Sequence, residues 1–297
     1  HSLHNLSVEL PLGRLVGISG VSGSGKSTLA IDGFGSMMTR DDASATGVVP
    51  SSIQVVTDIA AAHVYSTPAT YSGTFEVIRK WYAGLPESKV RGYTAGHFSY
   101  RTQYGRCELC RGSGLENDEF ERYRLVTRSC HRCDGTRYND QVRTIRYKGA
   151  SISDVLSMTA KEAYLHFETN ARIAQVLRQF IRLGLDYIPL GLSTSALSFG
   201  ERQRLSLVRA LSKRVEGDSL FIFDEPSRGL HSRDLQDLMR GFELLIEAGH
   251  SVWVVEHNPS ILAACDWHCV MGPGPGADGG KVVYQGPNWK EAQGSIS

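Results

Sequence analysis

Two groups of residues in this sequence have types and spacings that do chemistry. The first is Gly20-Val-Ser22-Gly23-Ser24-Gly25-Lys26-Ser27-Thr28, which fits G-x-x-x-x-G-K-[ST]. Glycines there let backbone N–H groups converge on phosphate oxygens, and the helix that follows adds the positive potential of its N-terminus. Lys26 would reach the β- and γ-phosphates and Ser27 would ligate Mg²⁺, so Gly20, Ser22, Gly23, Ser24, Gly25, Lys26, Ser27 and Thr28 are the expected nucleotide ligands. The second group is Cys107-x-x-Cys110 with Cys130-x-x-Cys133. Four thiolates in two such knuckles close a tetrahedral Zn²⁺ site, structural because no coordination position is left for water. Two disulfides are the competing account, and close pairs in a cytosolic chain favour the metal.

Three smaller signals accompany these. Leu220-Phe-Ile-Phe-Asp224-Glu225 is an apolar run ending in two acids. An aspartate there holds Mg²⁺ and a following glutamate polarises an attacking water, although acids also end strands merely to meet solvent. Ser198 and Glu201, in Leu197-Ser198-Phe199-Gly200-Glu201, have the spacing of a helix-opening capping box. His257, in Glu256-His257-Asn258, follows the apolar run Ser251–Val255.

These residues need elements to position them. The pattern predicts a strand over Arg14–Ser19, the glycine turn, then a helix over Ser27–Met38, which is the opening of an α/β unit. Asp41–Gly47 reads as a polar loop, Ile53–Thr57 as a strand and Phe75–Tyr82 as a helix. From about Gly92 to Arg137, Gly, Tyr, Arg and Cys dominate and no period persists, as in an inserted module. Helical order returns with the capping box Thr159–Glu162 and the stripe Ile173, Val176, Leu177, Phe180 and Ile181. Ser219–Phe223 and Ser251–Val255 are buried-strand candidates flanking a helix with apolar Leu235, Leu238, Met239, Phe242, Leu245 and Ile246, which implies a parallel sheet. The expected organisation is an ATP-binding core of residues 1–72 and 190–297, interrupted by 73–189, with the cysteine module at about 92–140.

At 297 residues with 41 % apolar content, the chain can build one large or two modest cores. Lys+Arg 32 against Asp+Glu 31 leaves a net charge of +1, so any basic surface must be local. One candidate is the cysteine segment, where Arg91, Arg101, Arg106, Arg111, Arg122, Arg124, Arg128, Arg132 and Arg137 alternate with Tyr93, Tyr100, Tyr104 and Tyr123. Arginine forks suit phosphates and tyrosines can stack, while Glu116, Asp118, Glu119 and Glu121 leave open a merely solvated charged face. No apolar run approaches the roughly 20 residues that span a bilayer, no signal peptide precedes the first strand, and a cytoplasmic location is expected. The chain opens at His1 without an initiator methionine, as expected of a domain from something longer.

The order of these motifs resembles that of the ATP-binding cassette proteins. In them, the serine and glycine of the signature, here Ser198 and Gly200 with Glu201, face the γ-phosphate held by a second cassette, and a switch histidine stands where His257 does. The resemblance is closer still to the second cassette of the UvrA family, the damage-recognition ATPases of bacterial nucleotide excision repair. It rests on Ser66-Thr-Pro-Ala-Thr-Tyr71, Val90-Arg-Gly-Tyr-Thr94, Gly105-Arg-Cys107, Arg137-Tyr-Asn139, Asp224-Glu-Pro226, Gly229-Leu-His231, Glu256-His-Asn258 and the tail Gly272-Pro-Gly-Pro-Gly276 with Gly279-Gly280, and on the cysteine pairs between phosphate loop and signature.

That resemblance implies a P-loop fold of cassette type carrying an inserted signature domain and zinc module. It implies Mg²⁺-dependent ATP hydrolysis with Lys26, Glu225 and His257 in catalytic roles and Ser27 and Asp224 on Mg²⁺. It also implies Zn²⁺ on the four cysteines and sequence-independent contact of Arg91, Arg101 and Arg106 with duplex DNA. Partners would be a second cassette, joined head-to-tail, and a UvrB-like protein, although no UvrB-binding module is recognisable, and no membrane. Four departures stand out. Phe199 replaces the first glycine of L-S-G-G-E and Thr57 falls at the Q-loop glutamine, changes that would impair turnover, and His97 and Gln103 stand where arginines are usual. Two other functions fit the same motifs: an ATPase subunit of another machine whose zinc module touches protein, and a nucleotide-responsive binding module without turnover.

Overall fold

A computed structural model describes residues 3, 6–35, 48–56, 65–118, 126–213 and 217–295. The expected loop Asp41–Gly47 and the Q-loop position Thr57 lie outside the described residues, as do Arg122, Tyr123 and Arg124. The described strands are β1 Leu15–Gly20, β2 Ser52–Val56, β3 Leu115–Asp118, β4 Val126–Ser129, β5 Ser219–Asp224, β6 Ser251–Val255, β7 Trp267–Gly272 and β8 Lys281–Gly286. Among the described residues no helix is long and apolar enough to cross a membrane.

The chain divides into two compact units, residues 1–59 with 213–297, and residues 60–212. These boundaries differ from 72/73 and 189/190. Pro68–Tyr71 and the segment before the signature belong to the second unit because they are bonded to each other, Ala69 N–H to the Leu190 carbonyl at 3.0 Å and Thr194 N–H to that of Ser66 at 2.9 Å.

In the first unit, six strands lie in the order β2-β5-β6-β1-β7-β8. β2, β5, β6, β1 and β7 are mutually parallel, and β8 closes the edge antiparallel to β7. Strands buried on both faces read as continuous apolar runs, and β1, β5 and β6 do so. Val16, Ile18, Ile222, Trp253, Val255 and Met271 pack with Leu29 and Ala30 of the segment after the phosphate loop. That segment starts as an α-turn, with Leu29 N–H on the Gly25 carbonyl, and widens over Thr28–Phe34 into a π-type helix, with Gly35 N–H reaching back to Ala30.

The second unit is mainly helical. Its helix Ala171–Arg182 buries Ile173, Leu177 and Phe180, with Val176 and Ile181 at the margin of the stripe. The Thr159–Glu162 capping box forms in both directions, at 3.2 and 2.8 Å. Within this unit β3 and β4 pair antiparallel, Leu115 opposite Ser129, and carry the two cysteine knuckles at their ends.

Candidate functional site

β1 delivers the chain into the phosphate loop with three glycines in the left-handed region, Gly20 at φ 133°, Gly23 at 80° and Gly25 at 98°. At Gly20 this is doubly required, because a Cβ there would collide with the Met271 carbonyl oxygen on β7. The tail after β7 folds back to brace the loop: Gly276 N–H meets the Gly23 carbonyl at 3.1 Å and Gly280 N–H that of Ser24 at 2.9 Å. Ser22 and Ser27 are exposed and Thr28 half-buried, while Ser24 is buried with its hydroxyl unpartnered. Lys26 is buried, its Nζ donating to the carbonyls of Gly20 at 3.1 Å and Val21 at 2.9 Å. Burial holds its pKa below the usual lysine range, against the opposing pull of Glu225 and Asp224. A buried ammonium curled over a cradle of glycines fits a phosphate chain.

The parallel order β5-β6-β1 brings the ends of three strands to this loop. Ser27 Oγ donates to Asp224 Oδ1 at 3.1 Å. Burial raises the Asp224 carboxyl above the ordinary aspartate value, partly offset by the Ser27 hydroxyl, and Glu225 adds to the rise. Facing hard oxygens on an acid that a cation would relieve fit Mg²⁺. Glu225 follows at φ 46°, a strained angle for a non-glycine residue, pinned by its N–H on the Val255 carbonyl at 2.9 Å. Its Oε1 lies 3.8 Å from His257 Nε2 and its Oε2 3.6 Å from Arg228. Asp224, Glu225 and His257 thus come together.

Glu256 belongs to the same assembly and is not evident in the sequence. It is 2 % exposed. Its Oε1 accepts the Ser227 N–H at 2.8 Å, and its Oε2 accepts those of His257 at 2.8 Å and Asn258 at 3.1 Å. The signal that could have found it is an acid placed directly after a fully buried strand.

The signature residues sit in the second unit. Ser198 Oγ accepts the Glu201 N–H at 3.2 Å and Glu201 Oε2 accepts that of Ser198 at 2.6 Å, opening the helix Phe199–Ser212. Burial would raise the Glu201 carboxyl, but the Tyr187 hydroxyl and the Ser198 N–H and hydroxyl outweigh it and hold it low. Phe199 leaves this cap intact; its ring is half-buried, with the Arg202 guanidinium 5.7 Å from its centroid. Gly200 is buried in the first turn.

The four cysteines meet in one buried cluster, every Sγ within 4.8 Å of the others. A tetrahedral ion with Zn–S bonds of about 2.3 Å sets its sulfurs about 3.8 Å apart. Cys107 and Cys130 Sγ are 3.9 Å apart and Cys110 and Cys133 Sγ 3.7 Å, against about 2.05 Å in a disulfide. Both knuckles turn alike: Arg111 and Asp134, each after the second cysteine, take φ 52° and 50°, followed by left-handed Gly112 and Gly135. Gly114 N–H points at Cys110 Sγ at 3.3 Å, and with Gly112 it lowers that thiol's pKa against burial. The donor set fits Zn²⁺.

The arginines separate. Arg101 and Arg106 line a cleft of ≈ 450 Å³ together with Arg111 and Tyr65, and Arg101 donates to the Tyr65 carbonyl at 3.0 Å. Arg91 does not line it; its guanidinium is held by Glu87 and by Thr144 Oγ1 at 3.0 Å.

Comparison with known proteins agrees with this geometry. The model of the ABC transporter family matches residues 114–228, from the end of the first knuckle through the signature to Arg228, leaving out the phosphate loop that the intervening module separates from them. UvrABC system protein A of Bradyrhizobium diazoefficiens is 40 % identical over 97 % of this chain and 30 % of its own length. That of Escherichia coli K12 is 39 % identical over 96 % of this chain and 32 % of its own. The structure of UvrA2 from Deinococcus radiodurans superposes with a TM-score of 0.82 at 36 % identity, over 99 % of this chain and 38 % of that one. A nucleotide-free cassette of an ABC transporter, 14 % identical over 99 % of this chain and 88 % of its own with a TM-score of 0.53, shares the fold. The chain spans about a third of the length of the curated relatives it matches, and with that likeness running over nearly all of its own residues it belongs to the UvrA family, as an ATP-binding cassette with a four-cysteine module.

Proposed function

We propose that this chain is a Mg²⁺-dependent ATPase cassette that binds duplex DNA without sequence preference, as in damage recognition for nucleotide excision repair, and pairs head-to-tail with a second cassette. The observation that carries the catalytic part is the Glu225–His257 pair at 3.8 Å, beside an aspartate bonded to the phosphate-loop serine. In this reading Lys26 and the loop N–H groups bind the phosphates of ATP, and Glu225 accepts a proton from the attacking water. His257 orients that carboxylate and the γ-phosphate. Ser27 and Asp224 would hold Mg²⁺, which when bound would supply positive charge to offset that of the phosphates. Ser198 and Gly200 serve the ATP of the other cassette, so turnover requires two. The four cysteines would hold Zn²⁺, whose binding would stabilise the module that presents Arg101 and Arg106. A cytoplasmic location and a UvrB-like partner belong to the same reading.

The test combines ATP turnover with DNA binding in the purified chain. Glu225→Gln keeps ATP binding, loses most turnover and accumulates a dimer, whereas Lys26→Ala loses nucleotide binding. Turnover by Glu225→Gln at the unmutated rate would remove the assignment of the catalytic acid.

A further inference from the structure

A ladder of aromatic rings climbs from the core of the second unit to its surface. Phe98, fully buried, meets Tyr93 edge-on at 6.3 Å. Tyr93 stacks on His97 at 4.8 Å and 12°, and His97 faces Tyr104 at 5.1 Å and 30°. Tyr104, the last rung, is 58 % exposed. Its position is fixed from below: His97 Nδ1 accepts the Thr94 N–H at 3.1 Å, and Asn139 clamps the loop by donating its Nδ2 to the Tyr104 carbonyl at 2.9 Å and its N–H to that of Gly105 at 3.1 Å. A large exposed ring ordered in advance loses little conformational freedom when a second ring stacks on it.

Beside this platform lies positive charge. Arg106, two residues on and so within about 7 Å along the backbone, shares its cleft with Arg101, Arg111 and Tyr65, and among the described residues no carboxylate lines it. Guanidinium groups clustered next to an exposed aromatic ring match a polyanion that carries flat rings. An acidic protein would satisfy the charges and leave the ring unused. In a fully paired duplex both faces of an interior base are already stacked, so the platform selects a base that has left the helix, which costs least where pairing is already broken.

We propose that Tyr104 is a stacking site for an unpaired nucleobase of a DNA strand whose phosphates lie on Arg101, Arg106 and Arg111. This rests on the DNA-binding reading given above. The site distinguishes duplex with an unpaired segment from intact duplex through one aromatic contact.

The experiment compares the full zinc-loaded chain with Tyr104→Ala and Tyr104→Phe by fluorescence anisotropy, on a labelled duplex and on the same duplex with a central unpaired stretch. Wild type binds the unpaired substrate more tightly. Tyr104→Ala loses about tenfold on that substrate and nothing on intact duplex, and Tyr104→Phe behaves as wild type. Tyr104→Trp supplies an independent readout, its emission quenched by the unpaired substrate and unchanged by intact duplex. Equal binding of the unpaired substrate by wild type and Tyr104→Ala overturns the stacking site while leaving duplex binding standing. Failure of the wild type to bind either DNA overturns the DNA reading and this site with it.

Discussion

The Glu256 carboxylate accepts the Ser227 backbone N–H at 2.8 Å through one oxygen, while the other holds the N–H groups of His257 and Asn258. One buried side chain therefore locks the segment after Glu225 to the segment carrying His257, and the 3.8 Å spacing between those two residues depends on it. Glutamine at 256 has one acceptor oxygen and an NH₂ donor, so one of the two segments would face N–H against N–H. Hydrogen bonds to a buried charge are worth about 1.5–3 kcal/mol. Steady-state ATP hydrolysis by Glu256→Gln is expected to show kcat lowered about tenfold with KM within about twofold. An unchanged kcat would mean that the Glu225–Val255 backbone bond suffices.

Chelation is expected to release about one Zn²⁺ per chain. The four thiolates clasp only residues of the second unit, joining the turn after Arg106 to the end of β4. Hydrogen exchange should rise around Cys107–Leu115 and Cys130–Tyr138 and stay unchanged in β1, β5 and β6. Protein purified under reducing conditions without zinc would sink this.

What the sequence announced was local chemistry: the phosphate loop, the cysteine knuckles, the Ser198–Glu201 box and the apolar runs of β5 and β6. What it hid depends on distant partners. β7, Trp-His-Cys-Val-Met-Gly, has no clean period, and its burial comes from pairing with β1 far upstream. β8 alternates weakly as an edge, so the tail reads as a glycine loop and the antiparallel strand goes unseen. Glu256 resembles any polar residue at a strand end until Ser227, 29 positions away, reaches its oxygen. Likewise Tyr65, Arg101, Arg106 and Arg111 form one cleft only after the chain folds around the cysteines.

His268 gives the sheet unit a pH dependence. It lies fully buried on β7, both ring nitrogens unpartnered, 5.3 Å from the Trp289 ring of the C-terminal helix. Burial lowers its pKa below the usual histidine value of 6.5. Below that value the unfolded chain binds more protons than the folded one, so this contribution is complete above about pH 6.5 and is lost as pH falls. Thermal melts at about pH 7.5 and about pH 5.5 should show wild type losing stability on acidification and His268→Phe losing less. Equal losses would place the acid sensitivity elsewhere.

The arginines make separable predictions about DNA. Each phosphate neutralised by a basic side chain contributes close to one unit to the slope of log K against log salt. Arg101, Arg106 and Arg111 face one cleft with no carboxylate among its described lining residues, so neutralising any of them should reduce that slope by about 1 and leave base-sequence preference unchanged. Arg91 differs, because its guanidinium is held by Glu87 and Thr144 away from the cleft. An exposed pair of this kind is worth only about 0–1 kcal/mol, so it cannot prevent Arg91 from meeting a phosphate, but nothing aims the side chain at one. Arg91→Gln should accordingly change the slope by well under 1, where Arg106→Gln changes it by about 1. Anisotropy over a salt series with one labelled duplex measures all four variants. A larger effect at Arg91 than at Arg106 would move the phosphate track away from the cleft and onto the helix Pro86–Val90.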